Sequence, residues 1–122
     1  MLYQNNHFKD KIRLKLLTDI EGFSKFSTYE MDDDIYLLFG NLGSYIQYCI
    51  ENEKVKILNQ IFQLINELLV GNIDDEFENM ITVQVFEMLY DKKEYFEKGY
   101  NLLNNHGQNL LLSIKDNFRP FS

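Results

Sequence analysis

The chain has one cysteine, Cys49, and one proline, Pro120. A lone thiol cannot close an intrachain disulfide, so no disulfide framework holds this fold. There is no Cys-x-x-Cys pair for a zinc site, and no partner histidine is suggested that would make Cys49 a nucleophile. Its place between Tyr48 and Ile50, at helical spacing from other apolar residues, reads as a small buried hydrophobe. Positive charge is also scarce. Twelve Lys and Arg stand against 19 Asp and Glu, a formal net charge of -7. That balance lacks the basic footprint that neutralises phosphates, which argues against direct nucleic-acid binding and against anionic membrane surfaces. The N-terminus lacks the basic and apolar regions of a signal peptide, and no apolar run approaches the length of a membrane span. The expected setting is cytoplasmic.

Catalytic signatures are missing as well. The chain contains no Gly-x-Gly-x-x-Gly, no phosphate-binding loop, no Gly-x-Ser-x-Gly elbow and no His-x-x-x-His. His7 and His106 read as surface residues. Glu87 interrupts an apolar run, but Gln84, Glu87 and Asp91 fall on one helical strip, which reads as solvated. We therefore expect no enzyme, no cofactor and no metal site.

What the chain does have is helical periodicity. Its 122 residues, 45% hydrophobic, suit one domain over 1–122, with residues 1–7 open to disorder. Phe8, Ile12, Leu16 and Ile20 recur every four residues and suit a first helix. The alternation from Ile12 to Leu16 would also suit a strand, but nothing nearby could pair with it. Gly22, Ser24, Ser27 and Thr28 mark a break. A second helix follows Asp32-Asp33-Asp34, whose acids suit an N-cap and the positive end of the helix dipole. Gly40 and Gly43 inside it suggest close approach of a neighbouring helix, with a kink as the alternative.

Val55, Leu58, Ile61, Phe62, Ile65, Leu68 and Leu69 form the cleanest amphipathic stripe, ended by Gly71-Asn72. Asp74, Asp75 and Glu78 open a fourth helix in a capping-box-like spacing. That helix runs to Tyr90 with two apolar sides. A short fifth helix around Tyr95 to Leu103, a turn at Asn104 to Gly107 and a last helix around Leu110 to Phe118 complete the reading. The expected fold is all-α: five or six helices in antiparallel hairpins, either a compact bundle or a short array like HEAT or armadillo units.

Charge is concentrated around the second helix. From Asp19 to Glu53 the acids are Asp19, Glu21, Glu30, Asp32, Asp33, Asp34, Glu51 and Glu53, and the only base is Lys25. Helix capping accounts for part of that excess, and a binding surface for a basic protein accounts for the rest. The acid triplet lacks the alternating ligands and the glycine of a calcium loop. Tyr36 and Tyr48 fall off the main apolar stripe and offer contact area at low entropic cost. The candidate partner-binding residues are thus Asp32, Asp33, Asp34, Tyr36, Tyr48, Glu51 and Glu53. Lys9, Lys11, Arg13 and Lys15 form a small basic exception, read chiefly as a solvated helix face.

The patterns Leu38-Phe39-x-x-Leu42-x-x-Tyr45, Ile61-Phe62-x-Leu64-Ile65-Asn66 and Val85-Phe86-Glu87-x-Leu89 resemble a family of small all-helical bacterial proteins. The similarity runs from about Asp33 to Ile114. Some members of that family sit beside polymorphic or contact-dependent-inhibition toxins as immunity proteins. The resemblance implies a chain that binds and neutralises a cognate toxin. It carries over a packing pattern and no catalytic or binding residue. Two other readings share the acidic surface: a phage-encoded inhibitor of a nucleic-acid enzyme, and a helical adaptor with no inhibitory role.

Overall fold

The computed structural model describes residues 2–27, 34–70 and 75–115, with 2–8 described as backbone alone. Every element among them is helical: α1 (Leu2–Asp19), α2 (Phe23–Phe26), α3 (Ile35–Glu51), α4 (Val55–Val70), α5 (Asp75–Gln84), a 3-10 segment (Phe86–Tyr90), α6 (Lys93–Leu102) and α7 (Asn105–Ser113). The protein is all-α among the described residues. The stretch that also suited a strand is helical, with Ile12, Leu16 and Ile20 buried and Leu14 64% exposed.

Seven α-helices among the described residues exceed the five or six expected. The extra one is α2, a single turn inside the expected break. It is entered through Gly22, which holds φ +78, a left-handed conformation that a side chain would strain. The expected fourth helix also ends early. α5 stops at Gln84, Val85 departs with φ -110, and a 3-10 turn follows. In a 3-10 turn residues three apart share a face. Phe86 and Leu89 both point into the core as a result, while Val83, expected to widen the apolar face, is 38% exposed. The last helix starts earlier than expected. Asn104 is not a turn residue but its N-cap, accepting a hydrogen bond from the Gly107 N–H at 2.8 Å.

α3 occupies the centre. It packs against α1, α2, α4, α5, the 3-10 segment and α6, whereas a unit of a linear array meets only its sequence neighbours. Leu38, Phe39, Leu42, Ile46 and Cys49 are fully buried along it. Burial pushes the Cys49 thiol up to about 11, as suits a structural rather than a reactive cysteine. α4 lays Ile61, Phe62 and Ile65 into the same core, and Val55, at the head of its expected stripe, is 63% exposed.

The two glycines of α3 answer the question their positions raised. A Cβ on Gly43 would lie 2.5 Å from Met88 Sδ and 2.7 Å from the Gln84 backbone oxygen. A Cβ on Gly40 would meet only the Gln84 side-chain oxygen, at 3.2 Å. Close approach of the chain after α5 is therefore the reason for Gly43. Gly43→Ala should destabilise by about 1–3 kcal/mol, since backbone must shift to admit the methyl. Gly40→Ala should be neutral or stabilising by up to about 1 kcal/mol, because Ala is the better helix former and the Gln84 side chain can turn away. Urea denaturation of the two variants checks this, and equal effects would show that helix propensity alone decides.

Candidate functional site

Asp32 and Asp33 lie outside the described residues. Asp34 is the N-cap of α3, its carboxylate accepting the Tyr36 N–H at 2.9 Å. The capping role expected of the acid triplet thus falls to Asp34, which is also exposed to solvent. Glu53 lies just past the other end of the helix. The Lys54 N–H returns to the Cys49 oxygen at 2.8 Å, and Glu53 takes φ +55. This closes the helix with a left-handed residue where glycine is usual. The two ends are roughly 25 Å apart along the axis, so the acids form two groups rather than one patch.

Glu51 is less available than its charge suggests. Lys92 Nζ reaches its carboxylate at 3.1 Å, and the Tyr95 hydroxyl donates to the same oxygen. These two donors, Tyr95 first, hold the Glu51 carboxyl below the usual carboxylate range. The cluster ties the end of α3 to the start of α6. A depressed carboxylate pKa contributes stability above its unfolded value, lost as pH falls through the folded value. Wild type should therefore exceed Glu51→Gln in melting temperature at neutral pH, and the gap should close below about pH 4. The effect is small and salt-sensitive because the group is solvent-exposed. A gap that is constant with pH would remove the carboxylate from the explanation.

The two tyrosines also part company. Tyr48 is 41% exposed, stacked on Tyr45 at 5.8 Å between ring centroids and tilted against Phe26 at 5.5 Å. Tyr45 is buried and anchored through its hydroxyl to the Glu21 carbonyl at 2.8 Å. Tyr36, expected to be exposed, is instead half-buried against the core. It lines an open groove of about 560 Å³ between the start of α3, α5 and α7.

That groove gathers acids from the start of α5, of which Asp75 and Glu78 were expected only to open the helix. Asp75, Glu76 and Glu78 line it together with Tyr36, Asn79, Thr82, Leu110, Ser113 and Ile114. Asp75, Glu76 and Glu78 lie in the first turn of α5, and Asp74, expected to open the helix with Asp75, lies outside the described residues. Lys9 pairs with Glu76 at 2.8 Å across from α1, and His106 of α7 contacts Glu78 at 3.2 Å. The basic N-terminal residues are partly occupied in the same way, Arg13 by Asp10 at 2.6 Å and Lys15 by Asp19 at 4.0 Å. The acids at the other end of α3 sit in a more balanced setting. There a depression of about 260 Å³ is lined by Glu51, Glu53 and Glu94 and also by Lys54 and Lys98.

Among the described residues no group of three or more His, Cys, Asp and Glu is placed to hold a metal ion. No helix among them is long and apolar enough to cross a membrane. Glu87 is exposed, in keeping with its solvated strip.

A family model described as a domain of unknown function, DUF7674, matches residues 14–119. The chain belongs to that family. No curated protein and no solved structure matches it significantly. The matched span runs from within α1 through α7, so both acid groups lie inside the DUF7674 domain.

Proposed function

We propose that this DUF7674 domain is an immunity protein that binds a cognate bacterial toxin, a basic nuclease, and covers its active surface. The observation that carries the reading is the groove beside Tyr36, which gathers Asp75, Glu76 and Glu78 on a protein of net charge -7. A nuclease presents Lys and Arg to bind phosphates, and carboxylates spaced along a helix offer those groups a competing anionic surface. The pairs of Glu76 with Lys9 and of Glu78 with His106 lie at the surface, where an ion pair is worth little in water. Long-range attraction would speed encounter, and Tyr36, Leu110 and Ile114 would supply contact area once the surfaces meet.

Co-expression with the product of the adjacent gene tests the proposal. The expected result is a stoichiometric complex that suppresses the neighbour's toxicity and weakens as salt rises. A neighbour that is neither bound nor neutralised would refute it. A complex with a host nucleic-acid enzyme, encoded beside phage genes, would replace toxin immunity with phage-encoded inhibition.

A further inference from the structure

One wall of the groove beside Tyr36 comes from α7 and its end, which supply Leu110, Ser113 and Ile114. Only Leu103 and Asn104 separate α7 from α6, and Leu103 is extended, at φ -84 and ψ 148. An extended residue turns the carbonyl before it and the N–H after it to the same side. Asn66 of α4 meets both. Its Nδ2 donates to the Leu102 oxygen at 2.9 Å, and its Oδ1 accepts the Asn104 N–H at 2.9 Å. Asn104 Nδ2 in turn donates to the Asn66 backbone oxygen at 3.4 Å. These are groups that helices leave over: the Leu102 carbonyl ends α6, and Asn104 is the N-cap of α7. An amide carries a donor and an acceptor side by side on one flat group, which a carboxylate or a hydrocarbon of that size does not. The apolar part of the seat is equally close. Gly107, in the first turn of α7, is buried, and a Cβ there would lie 2.9 Å from Leu103 Cδ2 and 3.2 Å from Leu69 Cδ1. Leu69 follows Asn66 by three residues, on the same side of α4. Further along, the Tyr90 hydroxyl donates to the Leu111 oxygen, Gln108 Nε2 donates to the Tyr100 oxygen at 2.8 Å, and His106 contacts Glu78 at 3.2 Å. None of these three reaches residues 102–104.

We propose that Asn66 is a positioning residue of that groove. It is not among the residues that line the groove, and it acts through the link between α6 and α7. By pairing with both edges of the link, its amide sets the direction in which α7 leaves α6. That direction decides where Leu110 and Ile114 stand relative to Tyr36 of α3 and the acids of α5. The close fit of Gly107 against Leu103 and Leu69 admits one seat for the helix, so a link aimed differently cannot keep the same wall. This role rests on the groove's being the partner's site, as proposed above, and adds which residue sets its shape.

Residual dipolar couplings of the full labelled chain test this without a partner. Asn66→Ala removes both side-chain bonds. The couplings of α3, α4 and α5 should keep their wild-type frame. Those of Leu110 to Ser113 should depart from it, or the α7 amides should fall below an order parameter of about 0.6. The amide shifts of Tyr36 and Thr82, which line the groove from other elements, should move as well. Asn66→Asp keeps the acceptor for Asn104 and loses only the donor, and gives the same reading if Asn66→Ala does not fold. Gly107→Ala disturbs the seat from its apolar side and should also displace α7, although alanine is the better helix former. A lower melting temperature with every α7 coupling still on the wild-type frame would overturn the proposal, since Asn66 would then stabilise without positioning. So would a loss of order spread equally over all the helices. With the adjacent-gene toxin as partner, affinity should fall with the fraction of chains whose α7 is seated, roughly ten-fold or more for Asn66→Ala. Asn101→Ala, at an exposed asparagine of α6, should leave it unchanged. A displaced α7 with an unchanged toxin complex would take the groove out of the interface and leave the positioning role standing.

Discussion

Phe62→Ala should remove about 3–5 kcal/mol of stability. Phe62 is 1% exposed at the middle of α4, on the stripe with Ile61 and Ile65, and α4 packs against α3, α6 and α7. Truncation forfeits the transfer free energy of the ring and leaves a cavity bounded by helices on three sides. α3, itself held from several directions, cannot collapse into that space. A domain of this size commonly has only about 5–15 kcal/mol in total, so the variant should unfold at much lower urea. Val70→Ala is the matched control: Val70 is on the same helix but 76% exposed, and its loss should stay within about 0.5 kcal/mol. Urea titrations with a common slope decide the matter. A loss below about 1 kcal/mol for Phe62→Ala would mean that the core is not closed around α4.

The helices were legible because their buried positions repeat at three and four residues over long stretches. The stripe from Leu58 to Leu69 is buried as its spacing demands, and the Asp34 cap sits where the acid triplet indicated. The break at Val85 was not legible. Ile81 to Tyr90 keeps enough apolar spacing to pass for one helix, and the change to a 3-10 turn after Val85, where the chain meets Gly43, has no mark in that spacing. Asn104 misled for a related reason. The run Asn104-Asn105-His106-Gly107 signals a turn, and the same asparagine side chain serves equally as a helix cap once an amphipathic segment follows it.

The surface was legible in charge and not in grouping. Acid excess around α3 can be counted along the chain, but which carboxylates face the same space depends on packing. Glu51 turns toward Lys92 and Tyr95, whose approach no local pattern announces. Tyr36 turns toward Asp75 and Glu78, which the sequence places far from it.

Reversing the groove acids should have the largest effect on binding. With the adjacent-gene toxin as partner, Asp75→Lys/Glu76→Lys/Glu78→Lys should slow association roughly ten-fold or more and flatten its dependence on ionic strength. Three reversals change the charge facing a basic surface by six, within the screening length of about 8 Å at physiological salt. Glu53→Lys should change the rate far less, since Lys54 and Lys98 already offset the acids there. Glu51→Lys is a poorer probe because it also breaks the Lys92 and Tyr95 cluster. The same reversals oppose the dipole at the start of α5, at a cost of about 0.3–1 kcal/mol each, so thermal unfolding must be followed alongside. The neutral set Asp75→Asn/Glu76→Gln/Glu78→Gln limits that cost and should give an intermediate rate. Association rates that ignore both sets while the variants remain folded would remove the groove from the interface. A larger effect from Glu53→Lys than from the groove reversals would transfer the electrostatic role to the other end of α3.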